Sequence, residues 1–549
     1  MYTKILCGTI LAAVAVSLPD EANGEVDWAK LNVAAREQAK VPVRAGVPGV
    51  RPFWNTHSKA FIHPPAFDFK ETAGAMEYRF ALATDGDGRP PVTWVAAKPW
   101  LPIPADIWDS LAPGYCTLKV DGVGERTFYR AAVFHGPYPP RVRGYRKAAQ
   151  KVYAAVFGMP QVQGWRTSDD PPEGYDLYCY PAKILSSMIR ALCRHAKAEP
   201  KDAEAALAIS RKMADWLIAH SQPADAPLVH FPPTYWGDRR EVAVKYAGQN
   251  MLHYPSHAAH AYLDLYETTG DAKYRAAALA IARTYLRIQG EDGTWPLKVL
   301  EKTGSPVRAN RLVPSRYVLG MFDRAFATTG DAAFTIARDR AFGYVLKGSA
   351  TTWDWDAQFE DMDPMPPYQN LQKGVAVDTA IRLFALGRNV EACEIVDWCE
   401  DQFVVWSDPV HSMDWKNWKT PTALEQYEYY TPIDASMGDM ICAFAAAYKA
   451  TDNSLYLEKA KALADNITRH QRTDGTIPTY FDNRGGSDWV NCMIRAAASL
   501  EMLAEVAAVS AEREPSGGGM DSAGTSPTGG AGGGRDDFGI KYLNGEGQR

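Results

Sequence analysis

Three of the chain's eleven histidines, His253, His257 and His260, fall within eight positions of the stretch NMLHYPSHAAHAY. Residues four apart share one face of a helix, so His253 and His257 have the spacing of a two-histidine metal clamp. A metal site also needs a third ligand and groups that orient the first two. No HExxH element supplies them, so the expectation is no metal and no cofactor. His253 and His257 then read as hydrogen-bonding or acid–base groups, and His260 as a structural residue. A helix N-terminus disfavours positive charge, which predicts neutral imidazoles there.

Acidic chemistry gathers in TTWDWDAQFEDMDPMPPYQN, which holds Asp354, Asp356, Glu360, Asp361 and Asp363 beside Trp353 and Trp355. Cleavage of a glycosidic bond uses two carboxyl groups, one protonated to donate to the leaving oxygen and one ionised to activate water or attack. Aromatic neighbours raise one carboxyl by desolvation. Glu360 and Asp361 are the candidates from this segment, with Trp355 as a substrate-binding face. No DxDxDG loop supports calcium. ALEQYEYYTPIDAS offers Glu425, Glu428 and Asp434; Glu428 is the chosen partner carboxylate, and Asp434 suits its own helix start.

Other rims carry binding groups. VRANRLVPSRY sets Arg308, Arg311 and Arg316 around one helix start, and guanidinium forks grip carboxylates, so an anionic sugar is expected. FPPTYWGD adds Tyr235 and Trp236 as a stacking platform, and DLYCYPAKI adds Tyr178 and Tyr180.

The elements that position these residues follow from a repeat. TTGDAKYRAAALAIARTYLRIQGEDGTWP starts at Thr268 and ATDNSLYLEKAKALADNITRHQRTDGTIP at Ala450, 182 residues later. Tyr274 then matches Tyr456, and Gln289 matches Gln471. A shorter copy begins at Thr328. Such periods mean stacked helical hairpins. First helices are expected near Pro181, Pro255, Pro314, Leu371, Pro432 and Trp489, and second helices near Asp202, Asp271, Asp331, Asn389 and Asn453. A helix from Arg143 to Phe157 completes twelve, giving an (α/α)6 toroid with the first helices inside. Proline at the first helical position costs no hydrogen bond, so Pro181, Pro255, Pro314 and Pro432 mark four inner starts. Turns from inner to outer helices are short, whereas the returns at 221–253, 289–313, 350–371, 407–431 and 471–488 are long. Long loops in a compact domain carry function, so the inner-helix N-termini should hold the site.

Before the toroid (143–513), residues 41–140 alternate in short apolar runs and read as a small β-sandwich resembling a fibronectin type III module, a spacer without chemistry. Residues 1–24 read as a secretory signal peptide, which predicts a periplasmic or secreted protein without a membrane span. Residues 514–549 are a Gly-rich tail, disordered by composition. The net charge of −6 gives no electrostatic reason to expect nucleic acid as partner. Sixteen Trp and 27 Tyr allow either a large aromatic core or sugar-stacking surfaces. Removing Cys7 with the signal leaves an odd number of cysteines and no CxxC, which supports neither a disulfide framework nor a zinc knuckle.

LYCYPAKI, FPPTYWGD, WDAQFEDMDP and CEDQFVVW resemble glycoside hydrolase family 154 across about residues 45–510. That resemblance implies a toroidal β-glucuronidase acting on a uronic-acid-containing glycan. On position and chemistry, Glu360 is the expected general acid and Glu428 or Asp361 the base. The arginines hold the carboxylate, while His253, Tyr254, His257 and Tyr180 orient the sugar. Two rivals stand beside it. One is a polysaccharide lyase in which Tyr254 and His253 carry the proton abstraction. The other is a non-catalytic glycan-binding protein.

Overall fold

The computed structural model describes residues 26–44, 46–86, 88–407, 417–484 and 488–513. The signal-peptide and tail readings lie outside these residues. A first helix, α1 (Trp28–Gln38), precedes strands β1 (Ala60–Phe61), β2 (Tyr78–Thr84), β3 (Val92–Ala96), β4 (Gly114–Val120) and β5 (Gly124–Arg130). Twelve long helices follow among the described residues: α2 (Tyr145–Gly158), α3 (Pro181–Ala198), α4 (Ala203–Ala219), α5 (Tyr254–Thr269), α6 (Ala272–Ile288) and α7 (Arg316–Thr329), then α8 (Ala332–Lys347), α9 (Gly374–Ala385), α10 (Asn389–Phe403), α11 (Asp434–Thr451), α12 (Ser454–His470) and α13 (Val490–Arg513).

Helices α3, α5, α7, α9, α11 and α13 pack in that order, and α13 returns to α3, closing an inner ring. Each inner helix packs on an outer one; α2 is the outer partner of α13, so the first toroid helix closes the barrel. This is the expected (α/α)6 toroid.

The sequence repeat has a structural cause. The Gln289 amide donates to the Gly293 carbonyl and across to Ala337 O on the next outer helix (2.7 and 2.9 Å). Gln471 does the same to Gly475 and to Ala148 O (2.8 and 2.9 Å). Gly293 and Gly475 sit at φ 92° and 93°, and a Cβ on either would lie 2.5 Å from a carbonyl oxygen, Arg340's and Lys151's respectively. Only glycine meets both demands. The short inner-to-outer turns also repeat: Gly270 and Gly330 end α5 and α7 in the left-handed conformation, then Asp271 and Asp331 cap the next helix.

Two proline readings need correction. Pro181 and Pro255 do occupy the first helical turn. Pro314 instead precedes a serine cap, because Ser315 Oγ accepts from the Tyr317 N–H and starts α7 one residue later. Pro432 bridges Leu424 in an antiparallel pair, so extended backbone holds it until α11 begins at Asp434.

The β region is one five-stranded sheet of order β1-β5-β4-β2-β3. A sandwich needs a second facing sheet, and among the described residues there is none. Phe80, Leu82, Leu118 and Phe128 are instead buried in a core continuous with that of the helices. Rings of Phe61, Phe67 and Trp108 cover Phe128, and Trp54 meets Trp398 of α10 edge-on at 6.1 Å. Asp401, also on α10, accepts the backbone N–H groups of Ile62 and His63 at 2.6 and 2.8 Å. The sheet is thus bolted to the outer ring, and none of its residues lines the large cavity described next. No helix among the described residues is long and apolar enough to cross a membrane.

Candidate active site

The N-terminal ends of all six inner helices enclose a cavity of about 530 Å³. Lys183 comes from α3, His257 from α5, Tyr317 from α7, Asp378 from α9, Asp439 from α11 and Arg495 from α13. All five long connections also contribute, through Arg240, Val313, Glu360, Glu425 and Tyr480 among others. The space is the size of a small-ligand site.

Glu360 is the most constrained group. Its side chain is 1% exposed, and one oxygen accepts from Lys183 Nζ at 2.5 Å while the other accepts from the Tyr254 phenol. Its backbone carbonyl accepts from the Tyr235 phenol and from Lys298 Nζ (2.8 and 3.2 Å). Burial alone would raise this carboxyl. The Lys183 charge and the hydrogen bonds from Lys183 and Tyr254 outweigh burial and hold it below its ordinary value. Glu360 is therefore ionised at neutral pH. The expectation that it serves as general acid does not fit these surroundings, because a proton donor needs the opposite environment.

That environment belongs to Glu425, three residues before the expected partner Glu428. Burial, with the charges of Asp361 and Glu360, pushes Glu425 up to about 7 against the pull of Lys373 and Lys183. Asp361, at the exposed rim, is raised by desolvation of its carboxyl and by the Glu360 charge. Glu428 also lines the cavity, but at its solvent-exposed mouth, with its backbone N–H donating to Asn370 Oδ1 at 2.9 Å. The connection explains the difference. Residues 422–423 pair with 404–405, Gln426 bridges Gln372, and the Glu425 N–H donates to Thr431 O. This extended run carries Glu425 inward before the chain turns out at Glu428. Lys373, just ahead of α9, donates from Nζ to Leu424 O and Ser436 Oγ (2.5 and 2.6 Å); burial lowers it to about 8.

His253 and His257 do line the cavity, and their Nε2 atoms lie 3.1 Å apart, one donating to the other. His253 Nδ1 faces Ser315 Oγ at 3.3 Å. His257 stacks on Tyr317 at 3.7 Å between centroids. Both imidazoles are neutral, as expected, but the main cause is burial, which takes His253 down to about 4 and His257 well below its ordinary value. His260 is a core residue, its Nε2 on Tyr317 O at 2.9 Å. Tyr317 is unusual: burial would raise its phenol, yet the charges of Arg316, Arg495 and Arg190 bring it below the ordinary value.

Several expected binding residues lie elsewhere. Trp236 is 43% exposed and packs edge-on against Trp216 on the outer surface. Trp355 is buried against Trp398, on the outer ring. Tyr180 is buried behind Trp489, stacked at 6.1 Å, and supports the cavity wall without lining it. Arg308 pairs with Asp363 at 3.1 Å, and Arg311 binds Asp292 through both fork nitrogens, in both cases outside the cavity. Arg316 is buried beneath Tyr317, against Asp378 at 3.3 Å, and lines a separate space of about 40 Å³. Their shared fault is that an arginine near a helix start satisfies the nearest carboxylate first. The lysines and Arg240 were missed because one lysine or arginine carries no motif. For Lys183 a signal did exist, since it lies two residues after a proline-marked inner start.

No protein-family model matches the chain, and no curated protein matches it. Among solved structures, cellobiose 2-epimerase from Spirochaeta thermophila aligns at 14% identity and TM-score 0.45, covering 66% of this chain and 97% of that one. A family 76 glycoside hydrolase from a bovine Bacteroides thetaiotaomicron strain aligns at 12% identity and TM-score 0.41, covering 80% and 93%. An unsaturated glucuronyl hydrolase specific for heparin aligns at 9% identity and TM-score 0.42, covering 66% and 96%. At such identities and scores the chemistry of this chain has to be read from its own cavity.

Proposed function

We propose that the cavity is the active site of a carbohydrate-active enzyme, a glycoside hydrolase that releases a terminal uronic acid, with β-glucuronic acid as the expected sugar. One observation carries the reading: carboxyl groups sharing one cavity are driven apart, Glu425 up to about 7 and Glu360 below its ordinary value. Such a split assigns acid and base. Protonated Glu425 donates its proton to the glycosidic oxygen as the bond from that oxygen to the anomeric carbon breaks. Ionised Glu360 takes a proton from the water that attacks the anomeric carbon. Lys183 and Tyr254 occupy two of the carboxylate's roughly four lone-pair sites, leaving about two for water. His253 is spent on His257 and Ser315, so of the joined, neutral pair it is His257 Nδ1 that is left to meet a sugar hydroxyl. The resemblance of four sequence segments to glycoside hydrolase family 154 points the same way.

A second reading rests on Tyr317. A phenol held below its ordinary value by arginines suits a base that removes the proton beside a uronate carboxyl, as in a lyase. The test is incubation of the purified protein with glucuronate-terminated oligosaccharides and with glycans that hold 4-O-glycosylated internal glucuronate, while free uronic acid and ultraviolet absorbance are followed together. The hydrolase gives free saturated uronic acid and no new absorbance. Rising absorbance from a new C=C bond would transfer the chemistry to Tyr317.

A further inference from the structure

We infer that Arg240 is the residue that recognises the substrate's carboxylate and so sets the preference for an anionic sugar; the inference rests on the hydrolase reading above. Four lysine and arginine side chains line the cavity: Lys183, Arg240, Lys373 and Arg495. Three are committed. Lys183 is paired with Glu360, Arg495 with Asp439, and Lys373 donates to Leu424 O and Ser436 Oγ. Arg240 has no acid within ion-pair distance and no hydrogen bond among the described residues.

Its fork is nonetheless held in place. The guanidinium carbon lies 5.1 Å from the Trp489 ring centroid and 5.8 Å from that of Tyr180. Aromatic faces hold a guanidinium without using its N–H groups, which all lie along its edge. Arg240 is thus half-buried, oriented and unspent, at the wall of a cavity whose other charged groups are mostly acids. Elsewhere in that cavity each cation is already answered, by Glu360, by Asp439 or by the Leu424 carbonyl and Ser436 hydroxyl, so none is left for an added anion. The stretch of wall beside Arg240 and Trp489 is where a carboxylate is attracted, and a planar carboxylate accepts two parallel N–H bonds from the fork. This moves the anionic-sugar recognition expected of Arg308, Arg311 and Arg316, which are engaged by Asp363, Asp292 and Asp378, to a fourth arginine.

The test compares Arg240→Met and Arg240→Lys with the full-length native chain on two probes. The first probe is a matched pair of aryl β-glycosides that differ only at C6, a glucuronide and a glucoside. Arg240→Met should lower kcat/KM for the glucuronide by about 100-fold while lowering the glucoside far less, with partial recovery in Arg240→Lys, as expected for loss of a charge-assisted fork. Equal losses on both substrates, or no loss on either, would overturn the assignment. The second probe is calorimetric binding of free glucuronate and of glucose. Glucuronate should bind the native chain and lose that binding in Arg240→Met, with glucose little changed; no difference between the proteins overturns the inference. This probe needs no turnover. A chain that binds glucuronate through Arg240 but cleaves nothing would sink the hydrolase reading and leave the recognition residue standing.

Discussion

Replacing Glu425 by glutamine should separate catalysis from stability in opposite directions. The carboxyl is raised from 4.5 to about 7, and Gln keeps its shape while removing the proton it donates. Loss of a positioned general acid typically costs about 10²–10⁴ in rate. On the proposed hydrolase function, the native chain should lose activity above pH ~7, about tenfold for each further pH unit, as the donor ionises. Glu425→Gln should lose that limb altogether. An aryl glycoside with a good leaving group needs less protonation, so the variant should be impaired far less on it than on a natural disaccharide. Glu425→Gln within threefold of the native rate on the disaccharide, or a basic limb that survives the substitution, would refute the assignment of Glu425 as proton donor.

The same carboxyl weakens the fold at neutral pH. Its folded-state value lies above the unfolded one, so from pH 4.5 to about 7 the unfolded chain gives up a proton that the folded chain retains. Stability from this group is therefore full below pH 4.5 and falls as pH rises through the window. A rise from 4.5 to about 7 corresponds to roughly 3 kcal/mol. Solvent screening of a half-buried group trims that to about 1–3 kcal/mol. Buried Lys373, lowered to about 8, works in the opposite sense between that pH and 10.5. Glu425→Gln should then melt higher than the native chain at pH 7.5 and equal it near pH 4. Differential scanning calorimetry at the two pH values checks this, and a lower melting temperature at pH 7.5 would contradict the burial argument.

Other outcomes follow from the same contacts. Lys183→Met leaves the Glu360 carboxylate buried without its counter-charge and should cost about 3–5 kcal/mol in chemical denaturation, with Glu360 titrating higher. Trp236→Ala, Arg308→Ala and Arg311→Ala lie outside the cavity and should each leave KM within about twofold of native in steady-state kinetics, as surface substitutions do. Asp401→Ala orphans the N–H groups of Ile62 and His63 and should cost about 1–3 kcal/mol for each. Limited proteolysis should then cut between the sheet and α2, where the native chain resists.

The toroid was legible because its constraints repeat along the chain. Gln289 and Gln471 occupy matching positions since each ties its loop to the following outer helix, and a glycine beside each is forced by a carbonyl 2.5 Å away. A contact made within one repeat, or with its neighbour, leaves the same letters at the same spacing. The sheet's partner was not legible for the converse reason. Trp54 meets Trp398 and Asp401 meets Ile62 across more than three hundred residues, and alternating apolar runs look alike whether a second sheet or a helix covers them.

The site divides the same way. That the inner-helix starts would form the mouth could be read from loop lengths, and Glu360, Asp361, His253, Tyr254 and His257 were brought to the cavity as that predicts. What each group does there could not, because it depends on the residue opposite. Glu360 became a fixed anion through Lys183, which is 177 positions away and belongs to α3. Glu425 and Glu428 are three residues apart in one loop, and only a short extended pairing decides that the first faces inward and the second faces solvent. Arg311 and Arg240 differ likewise, one gripped by Asp292 and the other resting on Trp489 with its donors unused. Position in a toroid is set along the chain, whereas the charge state of each group is set across the cavity. Substitutions on the partner side, at Lys183 or Trp489, should therefore alter the chemistry as much as substitutions at the carboxylates themselves.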